Sequence, residues 1–305
     1  MEITRNLQRG AYDLHVHSAP EVFERPYDHY EVAEQARAVG MSGIVLKSHF
    51  SETASRAQLV RKCVPGIETY GSVVLNHYVG GLNPFAVYAA INMGAKIVFM
   101  PTIDAAHHMK CFGEESLTYG GFHTVSSGQH MDYKETKGIT ITQNGELLPV
   151  IDDIVNQVAE ADIALATAHV SKTEIHALVD KAKSAGVKKI IITHAIWWAL
   201  WVDEIDDLIE MGKKGAFVEL VYPTIRTKDE PPEADKIPTV AHAIEVIKRI
   251  GAEHCIISSD CGQVINPPPV ECLKGFYASF LKNGISKAQI ETMIKVNPKF
   301  LLGLA

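Results

Sequence analysis

Eight short apolar runs, each followed by a stretch of helical spacing, limit this chain more than any other feature. They are AYDLHVH (11–17), GIVLKSH (43–49), GSVVLN (71–76), KIVFMPT (96–102), IALATAH (163–169), KIIITH (189–194), AFVELVY (216–222) and CIISSD (255–260). Runs apolar on both faces are the pattern of parallel strands covered by helices. Between them apolar residues recur every three or four positions. Val32, Ala33, Ala36 and Val39 make one stripe, and Ile151, Ile154, Val155 and Val158 another. Ile175, Leu178, Val179 and Ala182 repeat the spacing, as do Val202, Ile205, Leu208 and Ile209, and then Val240, Ala243, Ile244 and Ile247. Several stripes end in Gly just before the next run, as in SAGVKKIII and MGKKGAFVE, which marks a left-handed helix cap. Eight such units predict an α/β fold of the (β/α)8 TIM-barrel class, whose usual size is about 250 residues before insertions. An open doubly wound sheet is the structural alternative.

One segment breaks the rhythm. Residues 103–150 are too long for an ordinary loop. They contain GITITQNGELLPV, where Asn144-Gly145 between alternating runs signals a β-hairpin. The expectation is an insertion after the fourth strand, lying over the active-site face. No internal repeat or composition shift marks a second domain, so residues 1–305 are expected to form one barrel domain.

In a barrel of this kind chemistry sits where the C-terminal strand ends converge. The first strand ends in His15 and His17, which share a face at a spacing of two. The fifth ends in His169, the sixth in His194 and the eighth in Asp260. Imidazoles and a carboxylate buried at the ends of apolar strands are costly unless paired or bound to a metal. One such residue means little, but five at five converging positions predict a divalent metal site. Neutral imidazole and carboxylate suit zinc first, with manganese or iron as alternatives, as one ion or two. Water on such an ion has its pKa lowered toward roughly 7, and Asp260 could carry its proton to a leaving group.

Further residues remain open as metal or substrate contacts. Lys47 and His49 share a face on the second strand, and Glu219 points inward from the seventh. Lys47 either anchors an anionic substrate group or forms a structural ion pair. Of His107 and His108, one is expected to be exposed, without a sign of which. His123 and His130, in a Gly/Ser-rich stretch, are expected to be solvated. The aromatic stretch IWWALW (196–201) either walls a pocket or packs a helix start.

Composition excludes other classes. A formal charge of −7 without a Lys/Arg run argues against nucleic acid or an anionic membrane as partner. That leaves a small-molecule substrate, with a homo-oligomer open. Cys63, Cys111, Cys255, Cys261 and Cys272 form no CxxC pair, which suits reduced thiols. The opening residues MEITRNLQRGAYD lack a signal-peptide core, and no apolar run approaches 18 residues. The expected compartment is the cytoplasm.

The order HxH, His, His, Asp on strands one, five, six and eight resembles the amidohydrolase superfamily of metal-dependent hydrolases. The tail VNPKFLLGLA (296–305) resembles the Asn-Pro…Leu-Gly-Leu ending common there. The resemblance implies His15, His17, His169 and His194 as ligands and Asp260 as ligand and proton shuttle. It also implies a hydrolase attacking an amide, lactone or ester. Many binuclear members carry a bridging carboxylated lysine on strand four, but here that strand ends FMPTID. DLHVHS followed by GIVLKSHF also resembles the polymerase-and-histidinol-phosphatase (PHP) family, whose second-strand histidine would be His49. The usual PHP carboxylate near strand three is missing from VVLNHYVGG. Phosphoester hydrolysis, a decarboxylase or other lyase on the same scaffold, and a non-catalytic metal-binding protein are the rival readings.

Overall fold

The computed structural model describes residues 2–112, 137–196, 205–222 and 240–304. Eight strands lie in one sheet in chain order: β1 Tyr12–His17, β2 Gly43–Lys47, β3 Glu68–Val74, β4 Ala95–Phe99, β5 Ala164–Ala166, β6 Ile190–Ile192, β7 Phe217–Val221 and β8 Cys255–Ser258. Every neighbouring pair from β1 to β8 is parallel. The sheet then closes on itself. His17 N donates to Cys261 O at 2.9 Å and Asp260 N to His15 O at 2.8 Å. Closure with helices between the strands makes this the expected (β/α)8 barrel, and the open sheet is ruled out.

The seam between β8 and β1 explains how its residues are aimed. β1 slips register against β2 between Asp13 and Val16. The Asp13 carboxylate fills the irregularity, accepting from His15 N at 3.2 Å and from Ser259 N at 2.9 Å. Burial pushes the Asp13 carboxyl up to about 6, against those same hydrogen bonds. The HxH pair therefore sits on an irregular strand end, not on a plain alternating one.

The helical stripes face the barrel as their spacing predicts. Ile151, Ile154, Val155 and Val158 are buried on the helix Val150–Glu160, and Ile175, Leu178, Val179 and Ala182 on Lys172–Ser184. Val202 lies outside the described residues. Burying a side chain of this size contributes about 1.5–3 kcal/mol. The turns into β6 and β7 carry Gly186 at φ 87° and Gly215 at φ 85°, the left-handed caps expected from the sequence.

The hairpin of the long segment is present. Thr142 pairs with Leu147 and Gln143 with Glu146, antiparallel, around Asn144 (φ 53°) and Gly145 (φ 85°). Positive φ at both turn residues is what Asn-Gly supplies. Residues 113–136, with His123 and His130, lie outside the described part. The Asn-Pro of the tail also has a physical role. Asn297 Nδ2 donates to Ala252 O at 2.9 Å and Cys255 O at 2.7 Å, tying the last helix to the base of β8.

Candidate metal centre

Three histidines meet one carboxylate at the C-terminal mouth of the barrel. His15 Nε2 lies 3.0 Å from Asp260 Oδ1, His17 Nε2 lies 3.2 Å from the same oxygen, and His194 Nδ1 is 3.5 Å from Asp260 Oδ2. All four residues are buried. His15, His194 and Asp260 each offer one ligand atom, and these atoms lie within 4.8 Å of one another. His169 stands one step away. Its ring packs edge-on against His194 at 4.9 Å, and its Nδ1 is 3.0 Å from His108 Nδ1.

The backbone is bent to make this cluster. Ala168 (φ 52°), His194 (φ 52°) and Asp260 (φ 50°) are all left-handed, at or beside the ends of β5, β6 and β8. That conformation costs a non-glycine L-residue roughly 1–2 kcal/mol, and such strain concentrates at functional sites.

Around the cluster lies a ring of supporting groups. Glu219, from β7, places both carboxylate oxygens 3.3 Å from His15 Nδ1. A carboxylate only accepts, so this nitrogen carries the proton and His15 Nε2 keeps its lone pair for the centre. Lys47 Nζ, fully buried on β2, lies 2.9 Å from that Nε2 and 4.7 Å over the Phe99 ring. This lysine on β2 is an ammonium held over a β4 aromatic, so it does not supply the anionic bridge that a carboxylated lysine on β4 would give. His49 stacks on His17 at 4.8 Å and meets Thr102 Oγ1 through Nδ1 at 2.8 Å. Asn76 Nδ2 donates to that hydroxyl at 2.8 Å and to His49 O at 3.0 Å.

The charges are coupled. Burial would raise the Asp260 carboxyl, but His15 and His194 beside it and hydrogen bonds from His15 and His17 hold it well below the usual carboxylate range. Burial would lower His15, but the Asp260 and Glu219 charges raise it, against Lys47. Burial takes His194 down to about 4. His17 falls through burial and the Arg25 charge, and His169 through burial and the neighbouring His108. Burial also brings Lys47 down to about 8, opposed by Asp260, Glu219 and Glu21.

Of the residues singled out from sequence, His15, His17, His194, Asp260, Glu219 and Lys47 meet in this cluster, with His169 and His49 flanking it. Between the paired histidines, His108 is the buried one, and His107 is half-buried with Nε2 3.7 Å from Cys111 Sγ. Arg25 and Glu21 gave no sequence signal. They lie in the irregular stretch after β1, and only an Arg four residues after a Glu in EVFER hints at a pair. Arg25 reaches His17 Nδ1 at 3.2 Å and Gly262 O at 3.3 Å, while Glu21 accepts from His49 N at 2.8 Å.

Solved structures resemble the whole barrel. The probable dipeptidase PvdM from Pseudomonas aeruginosa superposes with a TM-score of 0.66 at 13% identity, over 99% of this chain and 97% of that one. An amidohydrolase from the same organism gives 0.62 at 13%, over 99% and 97%. A putative 2-pyrone-4,6-dicarboxylic acid hydrolase from Pseudomonas putida gives 0.57 at 17%, over 97% and 98%. The fold expected from the amidohydrolase resemblance is the fold found. No curated protein matches the chain in sequence. A model of a family of unknown function, DUF6282, matches residues 10–219, more than half of the chain, and the chain therefore belongs to that family.

Proposed function

We propose that this protein is a metal-dependent hydrolase of the amidohydrolase type, in which water attacks an amide, lactone or ester bond of a small molecule. The observation that carries the reading is the gap between His15 Nε2 and Asp260 Oδ1, 3.0 Å wide and buried. With the His15 proton held on Nδ1 by Glu219, two lone-pair atoms face each other there. Such a contact repels unless a cation offsets it: the Lys47 ammonium, 2.9 Å from the same Nε2, in the metal-free protein, a divalent ion in the loaded one. Imidazole and carboxylate donors fit zinc best, with His15, His194 and Asp260 as the nearest described ligand set. A bound ion would supply a Lewis acid and lower the pKa of water.

The chain's own residues supply the rest. Asp260 stays ionised at neutral pH and can accept a proton from the attacking water and return it to the leaving group. Glu219 holds the His15 ring and its tautomer. His169, set by His108 and His194, stands at the rim with His49, placed to meet a substrate or a further ion. Two fold neighbours, the probable dipeptidase and the putative 2-pyrone-4,6-dicarboxylic acid hydrolase, fit amide or lactone chemistry. We place the site in a single barrel domain, bordered by the helix Ala106–Phe112 through His108.

The test is metal analysis of the purified protein, joined to a screen of lactones, amides, esters and phosphoesters with zinc, manganese and iron. Metal-dependent turnover of a lactone, amide or ester is the expected result. A protein that binds none of these ions, or one that cleaves only phosphoesters, overturns the reading.

A further inference from the structure

The two histidines of the HxH pair are wired in opposite ways. A guanidinium has five N–H donors and no acceptor. Arg25 therefore donates to His17 Nδ1 across 3.2 Å, and that nitrogen must carry the lone pair. The proton of the neutral ring is then on Nε2, which faces Asp260 Oδ1 at 3.2 Å and donates to it. In His15 the order is reversed, because Nδ1–H donates to Glu219 and Nε2 carries the lone pair. A metal-ligating histidine almost always gives its other N–H to an acceptor. His15 meets that requirement and His17 does not.

The Arg25 fork is held in place. Its side chain is wholly buried against the Glu21 carboxylate, which it meets through both Nε and a terminal nitrogen, and it also donates to Gly262 O at 3.3 Å. Gly262 has φ 128°, and a Cβ there would lie 2.0 Å from His17 O, so only glycine lets this loop approach so closely. The positive charge beside His17 also opposes a second cation at that ring. The ligand atoms of His15, His194 and Asp260 lie within 4.8 Å of one another, and this group does not include His17.

We propose that His17 is not a metal ligand but a hydrogen-bond donor that orients Asp260, with Arg25 as the positioning residue that fixes its tautomer. The ion of the proposed centre is then held by His15, His194 and Asp260, and the HxH pair divides its labour: one ligand, one carboxylate clamp. The inference rests on the metal-hydrolase reading for its consequence, but the tautomer is a property of the metal-free protein.

Two measurements decide it. Long-range ¹H–¹⁵N correlation spectra of histidine-labelled, metal-free protein, with His17→Gln to assign the ring, report which nitrogen is protonated. We expect the proton on Nε2, retained in Arg25→Lys, which keeps a donor, and redistributed in Arg25→Met. A proton on Nδ1 in the wild type overturns the proposal, whether or not metal binds. The second is zinc affinity by chelator competition. His15→Ala should lose at least about 100-fold, and His17→Gln, whose amide N–H can still reach Asp260, should stay within about tenfold of wild type. Equal losses in the two variants overturn the proposal. If wild type binds no zinc, manganese or iron, the metal reading fails and the spectra alone decide the Arg25–His17–Asp260 arrangement.

Discussion

Replacing Glu219 by Gln tests the centre at the point where sequence and geometry meet. The carboxylate lies 3.3 Å from His15 Nδ1 through both oxygens, and both residues are buried, so no water screens the contact. Gln keeps the volume but removes the charge, and it can turn an N–H toward His15 and force the proton onto Nε2. The loss is that of one charge-assisted hydrogen bond, roughly 1.5–3 kcal/mol. At 1.4 kcal/mol per decade that weakens zinc binding by about 10- to 100-fold, the range in which outer partners of ligand histidines act. The assay is competition against a chromophoric chelator at pH 7, with unfolding followed in parallel to show that the barrel persists. Zinc affinity within about twofold of wild type, in a folded variant, would refute the reasoning that Glu219 sets the His15 lone pair.

Three other expectations follow from separate features. Asp260→Asn keeps one coordinating oxygen but no base; turnover on the substrate found by screening should fall by about two to four orders of magnitude while zinc binding falls far less, and near-normal turnover at full metal loading would dismiss the shuttle. Glu174 accepts from Ser171 N at 2.9 Å and Ile141 N at 2.8 Å and also meets Thr140, and although burial would raise its carboxyl, these hydrogen bonds hold it below its ordinary 4.5. A depressed folded-state pKa means stability present above the unfolded value and lost as pH falls through the folded one; wild type should therefore lose more stability than Glu174→Gln on acidification below about pH 4.5, and parallel denaturant curves at both ends of that range count against it. A Cβ at Gly71 would lie 2.3 Å from Ala54 backbone atoms, whereas one at Gly275 meets nothing within 4 Å; Gly71→Ala should cost about 1–3 kcal/mol and Gly275→Ala should be neutral or stabilising by up to about 1 kcal/mol, as read from urea midpoints.

The barrel was legible because its signal is repeated and local. Each strand had to be apolar on both faces, and each helix had to carry a stripe, so the sequence shows eight tests of one hypothesis. The convergence of His15, His194 and Asp260 follows from that topology, since strand ends of a closed barrel meet at one mouth. What stayed hidden depends on side-chain reach. Lys47 was visible as a residue, but nothing in GIVLKSH says that its ammonium ends 2.9 Å from His15 Nε2. Arg25 was invisible because its partner is set by the path of an irregular loop after β1, where no period constrains direction. His108 could not be told from His107 for the same reason: the choice depends on how the helix Ala106–Phe112 docks beside His169.

Strain supplies an argument that the sequence pattern could not. Among the described residues, the non-glycine positions with positive φ are Asn144, Asp162, Ala168, His194 and Asp260. Asn144 sits in the hairpin turn and Asp162 in the turn into β5, where Asn and Asp tolerate a left-handed backbone. The other three cluster at the mouth. Ala168 is the telling one, since its methyl side chain makes no hydrogen bond that could offset the conformation. Glycine would relieve that strain but would leave a looser hinge just ahead of His169. Holding an alanine there fixes the direction in which the chain leaves β5, and with it the His169 ring against His194 and His108. Local stability is thus given up at three strand ends for the aim of the residues that follow or occupy them. A barrel needing only to fold would have no reason to concentrate that strain at one end.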